Sequence, residues 1–296
     1  MSRPDVEREP ITGLENSQVK LVRSLHDAAG RRRHSAFLVE GLRLVESAVA
    51  SGTPILALHA PEFGRVDGRE RALVRRLQEA GAALRPVSAR VLQHVTDTVN
   101  PQGIVAVMPL PSSGKQDGSE GAVASRGWAS TPEDDKSAPL ALILDEVNDP
   151  GNAGTLLRSA AAAGVRCLLA SRGTVDLFSP KVVRAGAGAH FALSISTGLS
   201  WGDLGQEVRR QAIEHVLLAD VGGESPYWEA DWTASTALIV SNEARGATAA
   251  ARALASATVS IPMRHMESLN VGVAGSVILF EALRQRTTQC RGVPAD

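Results

Sequence analysis

Cysteine is nearly missing from this chain of 296 residues: there are two, Cys167 in an apolar run and Cys290 close to the end. Structural zinc takes about four ligands, and two thiols make no disulfide framework. Both are read as reduced bystanders, and no metal is expected. Also missing is an apolar run of the roughly 18 residues that a spanning helix needs, and the opening MSRPDVEREP is charged where a secretory signal turns apolar. No membrane segment is expected, and the cytoplasm is the expected compartment. The chain has no GxGxxG loop, no GK[ST] phosphate loop and no HExxH pair, which argues against nucleoside-triphosphate and zinc chemistry. Residues for Ser-His-Asp hydrolysis are present, but without a nucleophile elbow.

Net charge is also low, −1 overall, yet it is unevenly placed. Residues 1–110 carry 15 Lys+Arg against 12 Asp+Glu, and residues 111–296 carry 16 against 20. The densest basic spot, GRRRHS, holds Arg31, Arg32 and Arg33 beside His34. Such a cluster either reads phosphates or is an ordinary solvated face. Hydrophobic residues make up 44% of the chain, ample for packed cores.

Residues 111–138 are rich in Ser, Gly and charge and nearly empty of aliphatics, so they read as a flexible linker between two domains. Before it, VKLVRSLHDAAGRRR has helical spacing, AFLVEG reads as a strand, LRLVESAVASG as a helix stopped by Gly52, and GIVAVMPL as a buried strand. The expectation is a small α/β domain over residues 1–110. After the linker, LALILDEV, VRCLLAS, ALSIS, VLLAD, ALIVSN and TVSIPM read as strands separated by helical segments such as TLLRSAAAAG and WGDLGQEVRRQAIEH. That alternation over residues 139–296 implies an α/β domain with a mainly parallel sheet, in which ligands gather at the carboxyl ends of strands.

Three loops of this second domain carry the chemistry. In DPGNAG, Asn152 can cap the helix that follows, the small residues admit a ligand to its N-terminus, and Arg158 lies in its second turn. In LIVSNEARGAT, Ser241, Asn242 and Glu243 leave a buried strand and Gly246 punctuates the turn; Glu243 can bind ligand or cap the next helix. In IPMRHMESLNVGVAG, Ser268 or Asn270 can cap a helix that begins with Val, Gly, Val, Ala, Gly. Glycine inside a helix costs about 1 kcal/mol relative to alanine, so two of them imply either tight helix packing or close approach of a ligand or another backbone.

Taken together and in order, DPGNAGTLLRSAAAAG, LIVSNEARGAT and IPMRHMESLNVGVAGSVILFEALRQR resemble the three motifs of the SpoU/TrmH (SPOUT) family of RNA ribose 2′-O-methyltransferases. SPKVVRAGAGAHF resembles the segment between them, and the stretch from NSQVKL to LVESAV resembles the small ribosomal-protein-like substrate-binding domain of the ribosomal-RNA members. The resemblance implies a C-terminal trefoil knot, S-adenosylmethionine as methyl donor, a homodimer, and as acceptor a ribose 2′-hydroxyl of ribosomal RNA, 23S in particular. Transfer RNA is the alternative substrate, and a non-catalytic RNA-binding protein on the same fold is the alternative of another class. It places Asn152, Arg158, Glu243, Ser268 and Asn270 at the catalytic positions, and Ser241, Gly246, Ile261 and Leu269 around the cofactor. Two positions depart from the family's pattern: Ser241 stands where glycine is common, and Ala247 where a larger aliphatic is usual. A guanidinium has a pKa above roughly 12 and no free lone pair, so Arg158 is expected to stabilise a forming alkoxide rather than to remove the proton.

Overall fold

The computed structural model describes residues 9–65, 68–98, 101–111 and 138–290, and the chain forms two compact units. The expected linker over 111–138 lies outside the described residues except at its ends.

The first unit contains α1 (Ser17–Ser24), α2 (Ala28–His34), β1 (Ala36–Glu40), α3 (Leu42–Ser51), β2 (Leu56–His59), α4 (Arg69–Glu79), β3 (Ala83–Pro86), α5 (Ala89–Val95) and β4 (Ile104–Pro109). Its sheet runs β1-β4-β2-β3; β4 is antiparallel to both neighbours, and only β2 and β3 are parallel. Helix α5, capped by the Ser88 hydroxyl, is an element that the hydrophobic spacing had not singled out. Side-chain oxygens take up the amides that a first helical turn leaves free, and the Asn16 carbonyl does this for α1.

The basic spot at 31–33 needs a correction. Arg31 is 4% exposed, and its Nη1 donates to the carbonyls of Leu25 and His26 at 2.7 and 2.9 Å. It clamps the end of α1 in the corner where Gly30 passes so close to Ser24 that a Cβ would sit 1.9 Å from the Ser24 carbonyl oxygen. A buried guanidinium committed to carbonyls cannot also hold a phosphate. Arg32 and Arg33 remain exposed.

The second unit contains β5 (Leu140–Asp145), α6 (Pro150–Ala162), β6 (Cys167–Ser171), a 3-10 turn at Ala189–Phe191, β7 (Ser194–Leu199), α8 (Trp201–Arg210), β8 (His215–Ala219), β9 (Ser225–Pro226), β10 (Thr236–Ser241), α9 (Ala249–Leu254), β11 (Ala257–Ser260) and α10 (Val271–Cys290); in the chain between β6 and β7 lies α7 (Pro180–Gly186), of which residues 180–184 group with the first unit. The seven strands run β7-β6-β5-β10-β8-β11-β9, and every pairing is parallel. Every residue of β5 is buried, as suits a central strand covered on both faces. One face packs Ile143, Leu169, Leu218 and Ile239 against Leu204 and Val208 of α8 and Ala251 of α9. On the other face Leu156 of α6 and Val240 of β10 lie beside α10.

That packing accounts for the small residues at the start of α10. A Cβ on Gly275 would meet Leu156 Cδ2 at 2.4 Å and Val240 Cγ1 at 3.3 Å, and one on Gly272 would meet Thr155 Cβ at 3.2 Å. Of the two causes the sequence leaves open, close helix packing against α6 is the one observed, reinforced by a 2.7 Å hydrogen bond between the Ser159 and Ser276 hydroxyls. Gly154 serves the same end on α6: its Cβ would lie 2.2 Å from that of Ala185 and 2.9 Å from the Ala185 carbonyl carbon.

Residues 198–202 do have G-x-S-x-G spacing between a strand and a helix, but Ser200 has φ −72° and its hydroxyl donates to Asp203 Oδ2 at 2.6 Å while accepting from the Asp203 amide. It is half of a capping box, with the relaxed backbone of a cap, and no strained nucleophile.

Two stability measurements test this packing. Gly154→Ala forces a methyl onto backbone that cannot swing aside, so chemical denaturation should show a loss of about 2 kcal/mol. His190 is buried with Nε2 bonded to the Leu177 carbonyl, and burial pushes its imidazole down to about 4. The unfolded chain takes up that proton first, so this group's contribution falls as pH drops from about 6.5 toward 4, by up to about 1.4 kcal/mol per unit. His190→Gln should flatten that part of the stability-pH curve; parallel curves for the two proteins would refute the buried neutral imidazole.

Candidate active site

The loops after β5 and β10 and the start of α10 meet at the carboxyl edge of the sheet. The helix α6 begins one turn earlier than its sequence suggested: Pro150 is its first residue, and the cap is Asp149, whose Oδ1 accepts from the Asn152 amide at 2.8 Å. This frees the Asn152 side chain, which is 9% exposed, for a different task. Its Nδ2 donates to Glu243 Oε1 at 2.9 Å, and its Oδ1 accepts from Asn270 Nδ2 at 2.8 Å. Glu243 Oε1 also accepts from the Val271 amide at 2.7 Å, while Asn270 Oδ1 accepts from the Val273 amide at 3.2 Å. Asn270 is therefore the cap of α10, as one of the two sequence candidates, and Glu243 caps the same helix from a distant loop rather than the helix that follows it. A carboxylate there suits the positive end of a helix dipole.

The loop that carries Glu243 is itself fastened. Asp145, fully buried at the end of β5, accepts at Oδ2 from the Thr248 amide (2.8 Å) and at Oδ1 from the Thr248 hydroxyl (3.2 Å), and Thr248 caps α9. Asn242 Oδ1 accepts from the amides of Ala244 and Arg245, and its Nδ2 donates to the Glu146 carbonyl. The turn closes with Gly246 at φ 66°, bonded through its amide to the Asn242 carbonyl at 2.9 Å. That left-handed conformation, rather than lack of room, is why glycine stands there.

A 380 Å³ cavity opens beside this junction, lined by the ends of β8, β10 and β11 and by residues 268–271. Ser241, Gly246, Ile261 and Leu269 all line it, as do Glu243, Ser268 and Asn270. The Ser241 Oγ is buried and has no hydrogen-bond partner among the described residues. Apolar walls come from Val240, Val259, Ile261, Leu269 and Ile278. The structure thus brings four of the five catalytic candidates together, three by direct hydrogen bonds and Ser268 through the shared cavity, where its side chain makes no hydrogen bond among the described residues. Arg158 stands apart. Six residues along a helix amount to about 9 Å of rise and about 240° of turn from Asn152, and the exposed Arg158 joins neither the network nor the cavity lining. Sequence reasoning passed over Asp145, Thr248, Asp220 and Arg252. The acids were detectable as carboxylates at the carboxyl ends of the strands LALILD and VLLAD, where such sheets bind ligands. Among the described residues no three His, Cys, Asp or Glu side chains come together as a metal site, and no helix is long and apolar enough to cross a membrane.

Residues 139–280 match the SpoU rRNA Methylase family, and residues 16–106 match the MRM3-like substrate binding domain. An uncharacterized tRNA/rRNA methyltransferase of Synechocystis is 32% identical over 277 residues, which are 93% of this chain and 94% of that protein. The chain belongs to the SpoU methyltransferase family. The 23S rRNA (guanosine(2553)-2′-O)-methyltransferase of Bacillus subtilis is 29% identical over 91% of this chain and 97% of its own length. The crystal structure of the SpoU methyltransferase AviRb from Streptomyces viridochromogenes in complex with the cofactor AdoMet superposes with a TM-score of 0.76, at 28% identity, over 92% of this chain and all of that one. This SpoU chain therefore has relatives along nearly its whole length.

The geometry separates two kinds of site residue. Glu243→Ala removes the acceptor of the Val271 amide and of Asn152, and denaturant titration should record a loss of about 1–3 kcal/mol. Arg158→Ala touches no such bond and should stay within about 0.5 kcal/mol of the parent.

Proposed function

We propose that this SpoU protein transfers the methyl group of S-adenosylmethionine to a ribose 2′-hydroxyl of ribosomal RNA, in the 23S molecule. The observation that carries the reading is the junction of Asn152, Glu243 and Asn270 beside a cavity with apolar walls and an orphaned hydroxyl, that of Ser241. Apolar surface for a purine and the carboxylates of Glu243 and Asp220 fit S-adenosylmethionine, which is the bound cofactor in the AviRb structure. The B. subtilis relative is named for 2′-O-methylation of 23S rRNA.

When bound, S-adenosylmethionine supplies a methyl group that is already activated, which leaves this chain the tasks of alignment and charge control. Asn152 and Asn270, locked by Glu243, present a fixed polar edge to the acceptor ribose. Ser268, uncommitted in the cavity wall, is placed to hydrogen-bond the acceptor. Arg158 stabilises the negative charge that builds on the acceptor oxygen as the O–CH3 bond forms, the S–CH3 bond breaks to leave S-adenosylhomocysteine, and the hydroxyl proton passes to solvent water; a guanidinium does this as a charge and donor, without taking the proton itself.

A homodimer belongs to the same reading. Val273, Val277 and Phe280 are 47%, 36% and 47% exposed and recur along one side of α10, an apolar stripe that a second copy would cover. Arg158 faces outward on the adjoining α6, so it enters a site near that interface. The trefoil knot is likewise part of the proposal, supported by α10 lying against α6 with its start tied to the loops after β5 and β10. Residues 1–110 recognise the RNA, Arg32 and Arg33 contacting its backbone, residues 139–296 carry the chemistry, and residues 111–138 join them. The work takes place in the cytoplasm.

Purified protein should transfer labelled methyl from S-adenosylmethionine to rRNA, and Arg158→Ala should lower the rate at least about a hundredfold, within the range for a lost charge-stabilising donor. No transfer to any RNA by the parent, or full activity of Arg158→Ala, would contradict the proposal. Phe280→Asp should shift the protein to monomers in light scattering and remove activity with them.

A further inference from the structure

The cavity has a second carboxylate besides Glu243, and no motif contains it. Asp220 follows β8 directly, at the carboxyl end of the strand between β10 and β11 in the sheet. Its backbone amide donates to the Val259 carbonyl at 2.9 Å, which fixes it to β11. Gly223, just beyond, runs so near β11 that a Cβ would lie 2.4 Å from the Val259 carbonyl carbon, so this short turn is held tightly. The carboxylate is oriented from two directions: the Gly222 amide donates to Oδ1 at 3.0 Å, and Arg252 Nη2 of α9 donates to Oδ2 at 2.7 Å. The amide and then the guanidinium hold the carboxyl below its ordinary range, against the opposing effect of burial. Each oxygen has thus spent one acceptor site and keeps another. Asp220, Arg252 and the neighbouring Ala219 and Val221 all line the cavity.

The other cavity carboxylate, Glu243, is tied through Oε1 to the Val271 amide and to Asn152, which fixes it in the junction at the end of β10. The reacting centre belongs beside Asn152 and Asn270, at the ends of β5 and β10. Strands in a sheet lie about 4.8 Å apart, so Asp220 stands one strand beyond Glu243 and about 10 Å from the end of β5. In a nucleoside-linked sulfonium the ribose cis-diol sits a few bonds from sulfur, on the side of the adenine. In doubly-wound parallel sheets that bind dinucleotides, an acidic side chain hydrogen-bonds the ribose 2′-hydroxyl, and a carboxylate with an acceptor site left on each oxygen can take both hydroxyls of a cis-diol. We propose that Asp220 is the ribose-reading residue of the cofactor cavity: it accepts hydrogen bonds from the 2′- and 3′-hydroxyls of the methyl donor, with Arg252 as the positioning residue that keeps it ionised and aimed. This inference rests on S-adenosylmethionine being the donor.

Calorimetry on the full chain tests it with three probes: S-adenosylhomocysteine, 5′-methylthioadenosine, which keeps adenine and ribose but lacks the amino acid, and 2′,3′-dideoxy-5′-methylthioadenosine. Asp220→Asn retains an acceptor for the Gly222 amide and so preserves the turn. It should weaken S-adenosylhomocysteine and 5′-methylthioadenosine by the same factor, roughly tenfold or more, as expected for hydrogen bonds to a charged group. The parent should prefer the diol over its dideoxy analogue by a similar factor, and Asp220→Asn should lose that preference. Arg252→Ala should weaken both diol ligands by a smaller factor, and its loss should grow as pH falls toward the carboxylate range. If Asp220→Asn weakens S-adenosylhomocysteine alone, the carboxylate serves the amino group and the inference fails. Unchanged affinity for all three probes overturns it as well. Failure of the parent to bind S-adenosylhomocysteine, by contrast, would remove the donor assignment itself.

Discussion

One carboxylate oxygen holds the site together. Glu243 Oε1 accepts from the Asn152 side chain and from the Val271 amide, and so connects the loop after β10 to the first turn of α6 and the first turn of α10. Three segments far apart in sequence, around residues 152, 243 and 271, are fixed by it within hydrogen-bond distance. A buried donor left without a partner costs about 1–3 kcal/mol, so no one of these segments moves without penalty to the others. The support continues outward: Asp145 holds Thr248, Thr248 caps α9, and Asn242 shapes the turn that presents Glu243. Polar groups placed by a chain of bonds of this kind suit a reaction whose demand is alignment more than acid-base strength.

Tight helix contact makes the junction possible. Gly272 and Gly275 let α10 settle onto Thr155, Leu156 and Val240, which brings the Asn270 cap next to Asn152. The two glycines are costly to helix stability by themselves, and the observed packing gives the compensating gain. The same elements leave α10 with an apolar outer stripe and α6 with an outward Arg158, so the surface that a second copy would cover adjoins the surface that carries the proposed alkoxide stabiliser.

Strand and helix alternation was legible in the sequence because each strand of the parallel sheet is a short, continuous apolar run, β5 being buried at all its positions. The site residues were legible as types at strand ends, but their pairings were not, since spacing along the chain says nothing about which loop reaches which. That is why the cap open to Asn152 in the sequence is taken by Asp149, and why Glu243, open there to ligand binding or to capping its own next helix, turns out to cap α10. Arg31 shows the converse error: three consecutive arginines look alike in a sequence, and only the α1-α2 corner decides that one of them is buried on backbone carbonyls. Asp220 carried a readable signal, a carboxylate at a strand end, yet no motif drew attention to it.

The most direct test of the central claim is a map of ribose 2′-O-methyl groups in rRNA from cells that have this protein, lack it, or carry only the Arg158→Ala form. The account predicts one 23S position that is methylated in the first and unmethylated in the other two. Identical maps from all three would contradict it.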